Sequence, residues 1–367
     1  MIKIGMIVEY NPLHNGHLYL YNKIKSMYPD SLVIAILSSE FTSRGELNVF
    51  DKFTRTKHAL NLGVDLVLSN PLYHSMNNAS NFAYSSVYFL NNAHVDKIIC
   101  GSESNDITLL DKMYKQENTK EFREHLNNLI NEGNSFKSSY LKTFEHFNIN
   151  FKSNDVLAFF YYKAIKEINP NISLELIKRV SNDFNDKTLN SSSIQSATAL
   201  RENSNNIESY VPSFVYETFG NQGFRDINKL TNLFLYSSLF NQNVRENNEG
   251  ILNKLKNTNN IKTYEDIINT LKSKRYSTTT LQRLLVSTLL NIEPNYNELD
   301  SNYIRVLGFN NKGREYLNTI KKETQIYTSI KNGINREFDI EILASKILDM
   351  VYQSNLVKKE LKGPIKV

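Results

Sequence analysis

The segment that most constrains the fold is an apolar run followed at once by two histidines. Residues 2–8 read as a buried strand, residues 10–13 as a turn with a proline, and the chain from Gly16 onward as a helix. His14 and His17 are three residues apart, so a helix that begins at the end of this turn presents both imidazoles on one face. The segment therefore predicts a two-histidine site at the amino end of the first helix.

The amino end of a helix suits an anion, because backbone N–H groups and the helix dipole converge there. Gly16, between the histidines, removes the side chain that would keep a flat group away from the backbone. A lone His-x-x-His pair is also common on the surface of an ordinary helix. The residues alone leave both alternatives open.

Composition narrows the class of protein. The chain has 367 residues, enough for two domains, and its 40% hydrophobic and 22% charged residues are typical of a globular protein. A net charge of +5 permits nucleic-acid binding without requiring it. Cys100, the one cysteine, excludes a disulfide within the chain, so we expect a cytoplasmic protein. We also expect no membrane span, since no stretch approaches the roughly 20 apolar residues that one requires.

The first half of the chain alternates strands and helices, which is typical of a Rossmann-like α/β fold with a parallel sheet. Further strands are predicted at residues 31–37, 65–68, 95–100 and 172–180. Helices are predicted at residues 50–62, 77–91 and 156–168, the second helix of the chain ending at Gly63 and the last capped by Ser153. Residues 109–147 read as polar helices inserted on the sheet.

Ligands of such folds bind at the carboxyl ends of the strands. The polar loop at residues 38–46 and Gly101 both follow predicted strands. Gly101 either ends a strand or lets a nucleotide pass close to the backbone. The basic residues Lys52, Arg55 and Lys57 either solvate a helix face or face phosphates.

A hydroxyl-rich stretch at residues 191–201 ends in an arginine and opens another helix. It is either a helix cap or a phosphate site formed by Ser196, Thr198 and Arg201. Strand signals fade after this point, and helical periods dominate. We place a boundary near residues 208–212 and predict a helical domain over residues 209–367.

The helical part is rich in basic residues, which either solvate helix faces or form a phosphate-tracking surface for RNA, with Tyr276 available for stacking. They are Lys272, Lys274, Arg275, Arg283, Arg305, Lys312, Arg314, Lys321 and Lys322.

His-x-Gly-His directly after the first strand resembles the signature of the nucleotidyltransferase superfamily, in which two histidines hold ATP and stabilise charge on the α-phosphate. The whole chain is similar to the bacterial tRNA(Met) cytidine acetate ligases. The similarity rests on residues 8–20, 44–46, 51–55, 101–103, 153–154, Arg179, 196–201, 273–276, 282–283, 303–309 and 312–314.

That resemblance implies an enzyme that activates acetate with ATP as acetyl-adenylate and transfers the acetyl group to N4 of the wobble cytidine of elongator tRNA(Met). It implies an ATP-binding catalytic domain over residues 1–208 and tRNA binding by residues 209–367. Mg²⁺ is expected to arrive with ATP and not in a metal site of the protein. An adenylyltransferase for a small phosphorylated acceptor and a decayed RNA-binding protein stay open as alternatives.

The resemblance also implies the site residues. We expect His14, His17, Lys52 and Arg55 to act in catalysis. We expect ATP to bind Ile7, Val8, Glu9, Tyr10, Asn11, Pro12, Leu13, His14, Asn15, Gly16, His17, Leu18, Tyr19, Leu20, Gly101, Asn154, Arg179, Ser196, Thr198 and Arg201.

The chain departs from the family pattern at four places. Glu40 replaces the usual Asn, and a carboxylate there would repel acetate if it lined the pocket. Phe184-Asn185-Asp186 stands where Tyr-His-Asp is usual, and Ala158 and Phe160 replace a Gly and a Glu. These departures concern the acyl pocket more than the ATP site.

Overall fold

The structure is a computed structural model that describes residues 1–179, 194–247, 249–258, 260–273, 275–294, 299 and 302–367; at residues 137, 153, 154 and 205 it describes the backbone alone. The strands are β1 (Lys3–Val8), β2 (Leu32–Ser38), β3 (Leu66–Asn70), β4 (Lys97–Ser102), β5 (Ser173–Lys178), β6 (Tyr303–Phe309), β7 (Gln325–Tyr327) and β8 (Ile365–Lys366). The helices of the first half are α1 (Asn15–Met27), α2 (Lys52–Leu62), α3 (Leu72–Ser75), α4 (Ala79–Asn92), α5 (Ile107–Glu117), α6 (Lys120–Asn131), α7 (Phe136–His146) and α8 (Ser153–Ile168). Those of the second half are α9 (Ala197–Glu202), α10 (Ser213–Gln222), α11 (Thr231–Phe240), α12 (Asn253–Lys256), α13 (Tyr264–Leu271), α14 (Thr278–Leu289), α15 (Asn311–Ile320), α16 (Arg336–Tyr352) and α17 (Leu356–Lys362).

Five parallel strands form the centre of the sheet in the order β5-β4-β1-β2-β3. The strand order reverses between β1 and β4, because the chain first builds outward on one side of β1 and then returns to the other. This is the point at which α/β sheets open a crevice for a ligand. The predicted Rossmann-like α/β fold is confirmed.

The helices α2 and α8 begin and end at residues that the local sequence determines. Asp51 caps α2, since its carboxylate accepts hydrogen bonds from the N–H groups of Phe53 and Thr54, both at 2.9 Å. Gly63 ends α2 with a φ of +111°, as predicted. Helix α8 begins at Ser153 itself, so Lys152 and not Ser153 occupies the N-cap position.

The C-terminal part contains strands that the sequence prediction missed. The run Tyr303–Phe309 is buried throughout and pairs antiparallel with β3, and β7 and β8 then pair with it. An apolar strand at this place covers the open edge of β3, which explains why the run is extended. The last third of the chain is thus mostly helical but also completes the sheet.

Four buried charged residues connect the two halves. Lys52 of α2 pairs with Glu341 of α16 and Glu360 of α17, and Arg305 of β6 pairs with Glu360. Their side chains are at most 3% exposed. We call these residues, Lys52, Arg305, Glu341 and Glu360, the charge quartet; its two cations and two anions balance.

Candidate active site

The two histidines lie against each other at the start of α1. His14 occupies the N-cap position, and its Nδ1 accepts a hydrogen bond from the N–H of Gly16 at 3.0 Å. The Nδ1 of His17 accepts one from the N–H of His14 at 3.1 Å. The ring centroids are 3.9 Å apart. The structure therefore brings both imidazoles together at the ligand crevice.

Both rings are neutral. Burial, with the nearby Arg179 and Arg201, lowers the pKa of His14 to about 3. Burial, with His14 and Arg179, lowers the pKa of His17 well below its usual range. Since Nδ1 of each ring accepts a hydrogen bond, the single proton of each ring lies on Nε2. Each imidazole thus has an N–H donor suited to a phosphate oxygen.

Glycines permit two close approaches in this site. A Cβ on Gly16 would lie 2.8 Å from Cε1 of His14, so a side chain there would displace the imidazole. A Cβ on Gly101 would lie 3.1 Å from Cγ of Arg179, whose side chain passes the end of β4. Gly101 therefore gives Arg179 its place beside the histidines.

The residues of the predicted phosphate site after β5 lie at the start of α9. Ser196 caps α9, its Oγ accepting a hydrogen bond from the N–H of Ala199 at 3.0 Å, as the helix-cap alternative predicts. Arg201 donates to the carbonyl of Asn11 at 2.8 Å and pairs with Glu46 at 3.1 Å. Thr198 lies 3.4 Å from the same guanidinium. Arg201 thus joins α9 to the histidine turn and to the loop after β2.

Lys52 and Arg55, expected to act in catalysis, both have partners inside the protein. Lys52 is enclosed in the charge quartet, so its ammonium is neutralised in the core. Arg55 is fully buried and donates to the carbonyls of Glu9, at 2.6 Å, and Phe50, at 3.1 Å. Arg55 thus holds two backbone segments in place, whereas Lys52 joins α2 to α16 and α17 through their side chains. Lys57 is exposed, which fits the helix-face alternative.

The Glu40 carboxylate does not repel an anion from the crevice, because an arginine neutralises it. Glu40 is fully buried, and its Oε2 pairs with Nη1 of Arg225 at 2.8 Å. Arg225 also donates to the carbonyls of Asn48 and Phe50. This departure from the family pattern is accommodated inside the protein. Phe184, Asn185 and Asp186 lie outside the described residues, as do residues 180 and 191–193 of the predicted strand and hydroxyl stretch.

The other expected ATP residues lie along one continuous segment. Residues 7–20 form the end of β1, the turn and the first half of α1, and Asn15 ties this helix to the carbonyl of Ser209 at 3.0 Å. Asn154 lies in the first turn of α8, and its side chain is outside the described part of the structure. Sequence reasoning missed Glu46, Asp155 and Arg225, because their roles depend on partners far along the chain.

A family model described as HIGH Nucleotidyl Transferase matches residues 1–362. The tRNA(Met) cytidine acetate ligase of Caldicellulosiruptor saccharolyticus is 36% identical over 375 residues, covering 95% of this chain and 94% of that protein. The protein of the same name from Oceanobacillus iheyensis is 33% identical over 399 residues, covering 100% of both.

Solved structures show the same similarity. The crystal structure of Thermotoga maritima TmcAL in its apo form superposes with a TM-score of 0.87 at 26% identity and covers 100% of both chains. A second crystal structure of that protein, bound with alpha-thio ATP, gives a TM-score of 0.84 at 25% identity over 100% of both chains.

Proposed function

The chain belongs to the tRNA(Met) cytidine acetate ligase family, and from this membership we propose its reaction. It activates acetate with ATP as acetyl-adenylate and transfers the acetyl group to N4 of the wobble cytidine of elongator tRNA(Met). One observation carries the proposal: two neutral imidazoles with Nε2 donors lie at the amino end of α1, where the strand order reverses between β1 and β4.

In the first step, a carboxylate oxygen of acetate attacks the α-phosphorus of ATP, and the bond to pyrophosphate breaks. Negative charge builds on the α-phosphate oxygens, where the two Nε2–H groups and Arg179 stabilise it. Neutral imidazoles serve this role as hydrogen-bond donors at any pH well above the lowered pKa of His14. We expect Mg²⁺ to arrive bound to the triphosphate, since this ion usually keeps several waters and binds through substrate phosphates.

In the second step, the N4 amine of cytidine attacks the acetyl carbonyl carbon. The bond to AMP breaks, and the amine loses a proton as N4-acetylcytidine forms. Acetate alone is a poor electrophile, and AMP supplies the leaving group. The enzyme contributes chiefly by holding the amine against the mixed anhydride. A tRNA substrate fits the expected cytoplasmic location, and the described helices include none that could span a membrane.

The basic residues of the C-terminal part divide into three groups. Arg283 and Arg305 are buried in ion pairs with Glu246 and Glu360, so they neither solvate a helix nor face RNA. A second group lies on α15 and directly after it and consists of Lys312, Arg314, Lys321 and Lys322. That group sits at the amino edge of the parallel strands, since Lys312 donates to the carbonyls of residues 30 and 31 just before β2. It faces away from the histidine pair.

The third group lies before α14, in the described residues 272–273 and 275–277, on the side of the histidine pair. Gly45 touches α14, because a Cβ there would lie 2.5 Å from the N atom of Arg283. The neighbouring Glu46 binds Arg201, which binds the histidine turn. We propose that this segment contacts the tRNA backbone, with Arg275 as one phosphate ligand. The Arg275 side chain is 74% exposed, and its ion pair with Glu249, at 2.7 Å, is likewise on the surface.

Charge reversal tests the tRNA surface. We expect Arg275→Glu to weaken binding of unmodified elongator tRNA(Met) and to reduce its salt dependence by about one unit of slope. Arg314→Glu makes the same change on an exposed residue at the opposite edge and serves as the control. Equal losses for both variants, or a loss for Arg314→Glu alone, would contradict the assignment.

Isotope exchange tests the chemistry. We expect acetate-dependent exchange between ATP and pyrophosphate without tRNA, and acetylated cytidine after tRNA is added. The double variant His14→Ala, His17→Ala should abolish both, whereas His125→Ala, on α6, should retain them. Exchange that does not require acetate would indicate an adenylyltransferase for another acceptor. Binding of tRNA without any exchange would indicate a decayed RNA-binding protein.

A further inference from the structure

The second step of the proposed reaction releases a proton from the N4 amine, and the histidine pair is not suited to accept it. In both rings, Nδ1 already accepts a backbone hydrogen bond, so the ring proton lies on Nε2. Burial also lowers the pKa of His14 and of His17, which disfavours a second proton on either ring. A side-chain base for this step is therefore another residue of the crevice.

Three carboxylates near the crevice already have strong partners. Glu40 and Glu46, in the loop after β2, each form an ion pair with an arginine, at 2.8 Å and 3.1 Å. Asp155, in the first turn of α8, accepts hydrogen bonds from Oγ of Ser102 at 2.7 Å and from two backbone N–H groups of the turn after β4. These partners hold the three carboxylates in structural roles.

Glu9 is different, because one of its carboxylate oxygens is available. It is the first residue after β1, at the carboxyl edge of the sheet where the crevice opens, and it is partly exposed. Its Oε1 accepts a hydrogen bond from the N–H of Ser43 at 2.7 Å, whereas its Oε2 has no hydrogen-bond partner in the described part of the chain. The ring of the next residue, Tyr10, lies 4.9 Å from that of His17. The oxygen thus lies beside the histidine turn.

The charged and titratable neighbours of Glu9 come from three elements. They are Arg44 and Glu46 of the loop after β2, Arg55 of α2 and Tyr161 of α8. Burial is the largest influence and raises the pKa of Glu9 above its usual range, although the hydrogen bond from Ser43 and the two arginines oppose it. A carboxylate with a raised pKa is a stronger base than an ordinary one.

We propose that Glu9 binds the N4 amine of cytidine and is the base of the second step. The proposal rests on the proposed function. Oε2 accepts a hydrogen bond from N4–H, a pairing by which carboxylates recognise cytosine. As the bond from N4 to the acetyl carbon forms, the bond from that carbon to the AMP oxygen breaks and AMP leaves with its electron pair. One N4 proton passes to Oε2, and Glu9 then releases it to water.

The variant Glu9→Gln separates this role from a structural one. The amide oxygen of glutamine can still accept from the N–H of Ser43, but the amide does not take up a proton. Acetate-dependent exchange between ATP and pyrophosphate should therefore change less than about twofold. Transfer to tRNA from acetyl-adenylate formed beforehand on the enzyme, measured in a single turnover, should be slower by about 100-fold or more.

The pH dependence of transfer is a readout that a structural role would not change. Only the ionised carboxylate accepts the proton, so the wild-type rate should rise about tenfold per pH unit below the raised pKa of Glu9 and level off above it. Glu9→Gln should lose this rise. Glu9→Asp keeps a carboxylate on a shorter side chain and should recover part of the rate together with the pH dependence.

The matched control is Asp106→Asn, because that carboxylate caps α5 and accepts from the N–H groups of Thr108 and Leu109. It should leave exchange, transfer and the pH profile unchanged. Transfer by Glu9→Gln at the wild-type rate, or a loss of exchange as large as the loss of transfer, overturns the role of Glu9 and leaves the proposed function standing. A wild-type protein that exchanges but forms no N4-acetylcytidine overturns the proposed function, and the role of Glu9 with it.

Discussion

At the scale of the residue, the histidine pair combines burial with hydrogen bonding so that neither ring carries a charge. His14 and His17 each use Nδ1 to accept from a backbone N–H and keep the proton on Nε2. In the proposed reaction, the two neutral rings act as hydrogen-bond donors to the α-phosphate oxygens as negative charge develops there.

Neutral burial of His14 makes stability depend on pH. The unfolded imidazole binds a proton below its ordinary pKa of 6.5, but the folded one does so only below about 3. Between these values the unfolded state holds more protons, so stability falls as the pH falls. Near pH 5 this difference in proton binding lowers the free energy of unfolding by about 2 kcal/mol. Between neutral pH and pH 5, the free energy of unfolding measured in urea should therefore fall by about 2 kcal/mol less in His14→Asn than in the wild-type protein. An equal fall in both proteins would contradict the prediction.

At the scale of the element, the loop after β2 depends on one glycine. Gly45 has a φ of +81°, and a Cβ there would lie 2.5 Å from backbone N of Arg283 in α14. Gly45→Ala should therefore lower the free energy of unfolding by about 2 kcal/mol or more, from backbone strain and displacement of α14. Chemical denaturation measures the change.

Gly133 provides the control for this substitution. Its φ is +86°, and no atom lies within 4 Å of the Cβ position among the described residues. Gly133→Ala should cost only the backbone strain, about 1 kcal/mol. If the free energy of unfolding falls equally in the two variants, the close contact between Gly45 and α14 does not contribute to stability.

The charge quartet gives a second prediction at this scale. Glu360→Gln leaves Lys52 and Arg305 with Glu341 as their remaining carboxylate partner in the quartet, which should cost about 3–5 kcal/mol in unfolding free energy. Glu293→Gln removes a partner of Arg336 in an ion pair whose side chains are 43% and 64% exposed. We expect a loss below about 1 kcal/mol there. Comparable losses in thermal and urea unfolding would show that burial does not strengthen the quartet.

Local patterns predicted the elements around β1 and α2 because their signals are local. The apolar run, the proline turn, Gly63 and the spacing of His14 and His17 all act within a few residues. The burial of Lys52 and Arg55 could not be predicted in the same way. A lysine at the start of a helix is ordinarily solvated, and only the distant Glu341 and Glu360 make its burial favourable.

Strand β6 was missed for a related reason. A short, mostly apolar run such as Tyr303–Phe309, interrupted by Arg305, is consistent with a buried strand or with part of a buried helix. The strand conformation of this run depends on β3, with which it pairs antiparallel. Leu66 lies opposite Phe309, and Leu68 lies opposite Val306. The roles of Glu40 and Asp155 likewise depend on Arg225 and Ser102, which neither sequence neighbourhood contains.

At the scale of the whole molecule, the halves on either side of residue 208 share one sheet and one charge quartet. We expect residues 1–208 expressed alone to form no stable monomer, because the edge of β3 would be open and Lys52 would be buried without a carboxylate. Size-exclusion chromatography and circular dichroism measure this. A monomeric fragment with a cooperative melt would show that the first half folds independently.

The pairing of β3 with β6 also bears on how the protein is made. A ribosome releases residues 66–70 long before residues 303–309, with which they pair. The nascent chain therefore carries an unpaired strand edge while all the intervening residues are made, which exposes it to wrong pairing in that interval. The sheet around β3 is completed only after β6 has left the ribosome.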